Sequence, residues 1–212
     1  MIYIIPFDFC NLASICRYFE FNNKEYKFLY KDESIDIEND IIVIPGVGSF
    51  SEGMGFLVNA RLVDIIQNFA SAGGRIIGVC LGMQLMFDRS EESPGIDGLG
   101  LLRGEVKKLP NKKDKVPRIG WDSVNLAKDC LSYSEFKILS EHNYTKQLPA
   151  DFYFVHSYYC VPKDKNVISG TFKHGNVDCC ASIENELLYG LQFHPEKSGP
   201  SGYMILNALL DK

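Results

Sequence analysis

Basic charge, histidine and paired cysteines are what this chain has least of. Lysine plus arginine total 22 against 27 aspartates plus glutamates, a formal net charge of −5. Nucleic-acid binders usually carry the opposite balance, so no nucleic-acid partner is expected. Nowhere do about 18 apolar residues run together, the length that a membrane-spanning helix needs, so no membrane partner is expected either. The opening Met1-Ile2-Tyr3-Ile4-Ile5-Pro6-Phe7-Asp8 lacks a basic lead-in and meets an acid early. It reads as a first strand and not as a signal peptide. The seven cysteines contain no Cys-x-x-Cys pair, which argues against a disulfide framework or a zinc site and for a reducing, cytoplasmic setting. No phosphate-cradling Walker motif, internal repeat, low-complexity tract or linker interrupts the chain. No metal and no cofactor are expected.

What is present is a soluble globular composition, 46% hydrophobic and 23% charged over 212 residues. That size fits one large domain spanning residues 1–212. The first half alternates strand and helix signals: a strand at Ile2–Pro6, a helix after Asn11 with Leu12, Ile15, Cys16 and Phe19 on one face, and a strand at Tyr26–Tyr30. Asp32–Asp40 reads as a solvated connection with a little helix. Ile41–Ile44 is apolar at every position, the mark of a strand buried on both faces. It stops at Pro45-Gly46-Val47-Gly48. A helix is expected from there to about Ser71, then a buried strand Arg75–Val79 and a helix Leu81–Asp88. The second half reads as strands at 104–108, 118–125, 152–155, 158–161, 167–173, 177–183 and 188–192, with a hairpin at Lys173–Asn176. Gly202–Asp211 reads as a last helix. The expectation is an α/β fold: a mainly parallel central sheet flanked by helices, with additional antiparallel strands. The basic segment Lys107–Arg118 reads as a solvated loop.

Gly78-Val79-Cys80-Leu81-Gly82 has the form G-x-C-x-G between a buried strand and a helix, a thiol version of the nucleophile elbow. A side chain on such a tight turn projects into the cleft at the carboxyl ends of the strands. The following helix end favours a thiolate, and the Leu81 amide is placed to meet an oxyanion. The other six cysteines read as buried packing residues, with Cys179 and Cys180 on opposite faces of one strand. A thiol nucleophile needs a base. Of four histidines, His142 and His174 read as surface residues in loops or turns. His194 stands in Phe193-His194-Pro195-Glu196, where residues two apart in extended chain point the same way. Glu196 is thereby expected to orient His194 toward Cys80. A cysteine hydrolase of the same architecture, acting on γ-glutamyl peptides without a partner, is a competing reading.

GVCLGMQ at 78–84 with FHPEKSG at 193–199 resembles the class I glutamine amidotransferases. Pro45-Gly46-Val47-Gly48, Arg89–Ser93 with Gly98-Leu99-Gly100, Ile119-Gly120-Trp121 and Tyr153–Tyr158 narrow the resemblance to the glutaminase subunits of imidazole glycerol phosphate synthase. It covers nearly the whole chain. It implies L-glutamine as substrate, Cys80, His194 and Glu196 as catalytic residues, and Val47, Gly48 and Leu81 as the oxyanion site. Gly48, Gln84, His156, Ser157 and Tyr158 occupy positions resembling the glutamine pocket. A HisF-like (β/α)8-barrel cyclase is the implied partner, met through Asn11, Trp121, Tyr153 and Lys197, with the basic segment a candidate rim contact. The chain departs from that family after the first strand, where Asp8-Phe9-Cys10-Asn11 lacks the usual glycines but retains Asn11. A paralogous role, feeding ammonia to an amidino-sugar synthase, is the alternative that this departure leaves open.

Overall fold

The computed structural model describes residues 1–110, 114–127, 130 and 150–211. Among these residues nine strands form one mixed sheet. Its parallel half comprises β1 (Ile2–Ile4), β2 (Tyr26–Phe28), β3 (Ile41–Ile44), β4 (Arg75–Val79) and β12 (Leu188–Leu191). The antiparallel half continues from β12 through β11 (Val177–Asn185), β10 (Ile168–His174), β7 (Arg118–Leu126) and β8 (Ala150–His156). A second sheet of three strands holds β5 (Phe87–Ser90), β6 (Leu102–Lys108) and β9 (Tyr158–Pro162).

The all-apolar strands make sense because both faces of the sheet are covered. Ile2, Ile4, Ile41, Val43, Ile77 and Val79 point into one core, with the buried residues of helices α1 (Ala13–Phe21) and α5 (Gly199–Leu210). Tyr3, Ile5, Ile42, Ile44 and Ile76 point into the other, with helices α2 (Phe50–Asn59), α3 (Val63–Ser71) and α4 (Leu81–Leu85). The two-residue period divides them, and it also sends Cys179 to the first core and Cys180 to the second.

Several expectations are corrected. The single helix expected up to Ser71 is two. Ser49 and Glu52 start α2 with a reciprocal capping box. Arg61 then ends it in the left-handed region, at φ 58°, with Leu62 N–H reaching back to Leu57 O (2.9 Å). That is a helix stop usually built on glycine. The helix after Cys80 lasts five residues and gives way to β5. Asp32–Asp40 forms turns and no helix; the Asp36 carboxylate accepts from Glu38 N and Asn39 Nδ2. Leu12 occupies the cap position of α1, and Asn11 Oδ1 accepts from Ala13 N–H one residue further out. His174 is buried, not exposed, and its Nε2 lies 3.0 Å from Pro110 O. Cys10 and Cys16 are only half-buried. His142 lies outside the described residues, as do positions 111–113 of the basic segment. Within that segment Lys107 pairs with Glu105 at 2.8 Å.

Candidate active site

The carboxyl ends of β1, β3, β4 and β12 meet at one edge of the sheet, where open α/β sheets bind their ligands. Directly after β4 comes Cys80, whose backbone is at φ 52°, ψ −104°, a region that residues with side chains avoid. Two hydrogen bonds hold the strain: Cys80 N–H donates to Leu191 O (2.7 Å), and Cys80 O accepts from Gln84 N–H (3.2 Å). The flanking glycines are a steric necessity. A Cβ on Gly82 would stand 1.7 Å from Ile44 O, and one on Gly78 would stand 2.7 Å from Met83 N.

β12 delivers His194 to the same place. Its Nδ1 lies 2.8 Å from a Glu196 carboxylate oxygen, with side chains only 3% and 8% exposed. Because the carboxylate accepts, Nδ1 carries the proton and Nε2 is turned elsewhere. That Nε2 is buried without an ordinary hydrogen bond among the described residues. The main chain is clamped as well. His194 N–H donates to Tyr153 O (2.9 Å), and Ser198 Oγ donates to His194 O (2.6 Å) while accepting from Tyr153 N–H (2.9 Å). Burial is the largest influence on the imidazole and lowers its pKa. The Cys80 sulfur and the Glu196 carboxylate together outweigh it and hold His194 well above its ordinary 6.5. Cys80, His194 and Glu196 are thus brought together.

Two of the three expected oxyanion amides, those of Leu81 and Val47, are occupied. Leu81 N–H donates to Gly46 O at 3.3 Å. Val47 N–H points at Cys10 Sγ (3.3 Å), and the Cys10 thiol donates back to Val47 O (3.0 Å). Gly48 is exposed, with φ +131°. A cavity of about 40 Å³ opens beside Cys10, Asn11, Gly46, Val47, His194 and Glu196. That is room for a few waters at most, smaller than a glutamine. A groove of about 780 Å³ elsewhere, at β5 and β6, contains none of these residues, and Arg103 and Arg89 in it are already paired with Asp88 and Glu105.

Gln84, His156, Ser157 and Tyr158 do not line that small cavity. Gln84 Nε2 donates to Tyr158 O (2.9 Å) and to Gln192 Oε1 (3.1 Å). His156 is buried between Phe154 and Phe172, and its Nδ1 also lies on Tyr158 O (2.8 Å). Ser157 O accepts from Leu109 N–H (2.9 Å). Of the expected interface residues, Asn11 and Lys197 line the cavity. Trp121 is 56% exposed and meets Tyr153 edge-on, with ring centroids 6.1 Å apart. Among the described residues no group of His, Cys, Asp or Glu is arranged to hold a metal ion, and no helix is long and apolar enough to cross a membrane.

The family model for glutamine amidotransferase class-I matches residues 5–211. The chain belongs to the class-I glutamine amidotransferase family. Similar relatives are proteins named imidazole glycerol phosphate synthase subunit HisH. The one from Pyrococcus furiosus is 39% identical over 96% of this chain and 94% of its own length. The one from Chlorobaculum tepidum is 33% identical over 97% of each. Among solved structures, one described as a glutamine amidotransferase superposes with a TM-score of 0.72 at 13% identity, covering 99% of this chain and 97% of its own. The structure of PurLQS from Thermotoga maritima gives 0.72 at 18% identity with the same coverage. Those two show the fold alone.

Two features of this amidotransferase escaped the sequence reading. Gln192 puts its Nε2 3.6 Å from Cys80 Sγ. Its signal was available: a lone amide between the apolar Leu191 and Phe193, one position from the His194 motif. Cys10 grips the Val47 peptide, and nothing in its loop's composition announces that contact.

Proposed function

We propose that this amidotransferase is the glutaminase subunit of an imidazole glycerol phosphate synthase. What carries the reading is the His194–Glu196 pair beside Cys80 at the strained elbow, in a chain matching HisH proteins along nearly its whole length.

The chemistry follows from those groups. The Cys80 sulfur attacks the side-chain carbonyl carbon of L-glutamine, and the carbonyl oxygen becomes an oxyanion. His194 holds the proton and passes it to the departing nitrogen, so the C–N bond breaks and ammonia leaves. The product is a glutamyl thioester on Cys80. Water, deprotonated by His194, attacks that carbon, the C–S bond breaks, and glutamate is released. Glu196 keeps the imidazole in one tautomer throughout. Val47, Gly48 and Leu81 serve the oxyanion once residues 45–48 open. Gly48, Gln84, His156, Ser157 and Tyr158 form the wall against which glutamine seats after that opening. The closed geometry supports the need for a second subunit. A HisF-like (β/α)8-barrel cyclase, docking over Asn11, Trp121, Tyr153 and Lys197, opens the loop and receives the ammonia. It uses the ammonia to make imidazole glycerol phosphate and aminoimidazole carboxamide ribotide for histidine synthesis.

The test is glutamate release by the chain alone and with such a cyclase carrying its ligand. Weak turnover alone, strong stimulation by the cyclase and loss of both in Cys80→Ala are expected. Unchanged turnover in Cys80→Ala overturns the nucleophile. Turnover that no histidine-pathway cyclase stimulates overturns the partner and moves the acceptor to another synthase.

A further inference from the structure

Beside the catalytic sulfur lies a pair of buried amides, Gln84 and Gln192, and the mechanism above gives Gln192 no part. Gln192 is fully buried at the end of β12, and a buried amide must find partners. Its orientation follows from its neighbours. Tyr158 O is a carbonyl and can only accept. The Gln84 atom 2.9 Å from it is therefore the nitrogen. The second hydrogen of that nitrogen meets Gln192 at 3.1 Å, so the Gln192 atom there is the oxygen. What remains, Gln192 Nε2, is directed at Cys80 Sγ, 3.6 Å away. His156 Nδ1 completes the anchor on Tyr158 O (2.8 Å).

We propose that Gln192 is a further catalytic residue: it donates a hydrogen bond to the Cys80 sulfur and stabilises the thiolate, with Gln84 as the positioning residue that fixes its amide. This rests on Cys80 being the nucleophile. His194 supplies the opposite charge, and Gln192 adds a neutral donor. A neutral donor favours the anion without taking its proton, so it works before attack and again when the thioester breaks and the sulfur leaves as an anion. Titratable groups that interact with this sulfur include His194, Cys10 in the loop after β1 and Cys160 on β9, and Glu196 acts on it through His194. The variants below leave all four in place.

The experiment titrates the thiolate of Cys80 in the full chain by its ultraviolet absorbance, subtracting the Cys80→Ala protein, and so does not depend on glutaminase activity. Gln192→Leu removes the donor, Gln192→Glu replaces it with an acceptor, and Gln84→Met frees it to turn. Folding is checked by circular dichroism. The half-titration point of Cys80 is expected to rise by about one pH unit in Gln192→Leu, roughly a tenfold loss of thiolate below it. A larger rise is expected in Gln192→Glu and a smaller one in Gln84→Met. With glutamine as substrate, kcat falls about tenfold in Gln192→Leu while KM stays within about twofold. An unmoved half-titration point in the folded Gln192 variants overturns the proposal and leaves Gln192 a packing residue. If neither Gln192 variant folds, an unmoved point in Gln84→Met does the same. A wild-type chain whose thiolate titrates as expected but which releases no glutamate counts against the functional reading and not against the donor.

Discussion

His156 makes the protein sensitive to acid in a way that a single substitution removes. The ring is buried against Phe154 and Phe172, 5.6 and 5.5 Å between centroids. Its Nδ1 donates to Tyr158 O, and its Nε2 has no partner among the described residues. Burial is the main reason its pKa falls from 6.5 to about 4, with the Tyr158 contact acting in the opposite direction and the charge of His194 adding to the fall. The sign follows from linkage. Between the two values the unfolded chain binds a proton that the folded chain refuses, so stability is full above about pH 6.5 and drains as pH falls toward about 4. The loss is about 2 kcal/mol by about pH 5 and about 3 kcal/mol once both states are protonated. His156→Leu removes the titration and leaves Tyr158 O bonded to Gln84. Urea unfolding of both proteins at about pH 7 and about pH 5 reads the effect. The wild type should lose about 2 kcal/mol more than the variant over that interval. Equal losses would mean that His156 takes up its proton in the folded state, and the reasoning from burial would be wrong.

Other substitutions test the site directly. Glu196→Gln keeps the shape and removes the charge from the 2.8 Å contact with His194. Charge-assisted bonds are worth about 1.5–3 kcal/mol, so kcat for ammonia release should drop roughly 10- to 100-fold with KM little changed. Gly82→Ala drives a methyl onto Ile44 O; the cost should exceed about 3 kcal/mol, read as a fall in urea midpoint or failure to fold. Cys10→Ala removes the sulfur that holds the main-chain N–H and C=O of Val47. Freeing about 1 kcal/mol of hydrogen bonding should raise partner-free turnover several-fold, while Cys10→Ser, which keeps a donor and an acceptor, should not.

Much of the fold was open to reading because the relevant signals were local. Ile41–Ile44 and Arg75–Val79 are apolar throughout since helices cover both faces of the sheet, and the elbow and the His-x-Glu pair each lie within a few residues. Where reading failed, the deciding contact was remote or the pattern carried no phase. Met83, Leu85, Met86 and Phe87 are all buried, so periodicity could not show that α4 stops and β5 begins. Arg61 takes a conformation that glycine usually advertises. His174 sits in a turn by composition, yet it is buried against Pro110, 64 residues away in sequence. The closed state of the site belongs to this class too, for it depends on Gly46 O and Cys10 Sγ meeting amides of other segments.

Ser198 has a mechanical consequence. One hydroxyl staples the peptide of Tyr153 to that of His194, and the two residues also share a direct main-chain bond. The ring of Tyr153, one end of that staple, meets the exposed Trp121 edge-on. A displacement of the Tyr153 main chain would therefore be felt first at the backbone that carries the imidazole.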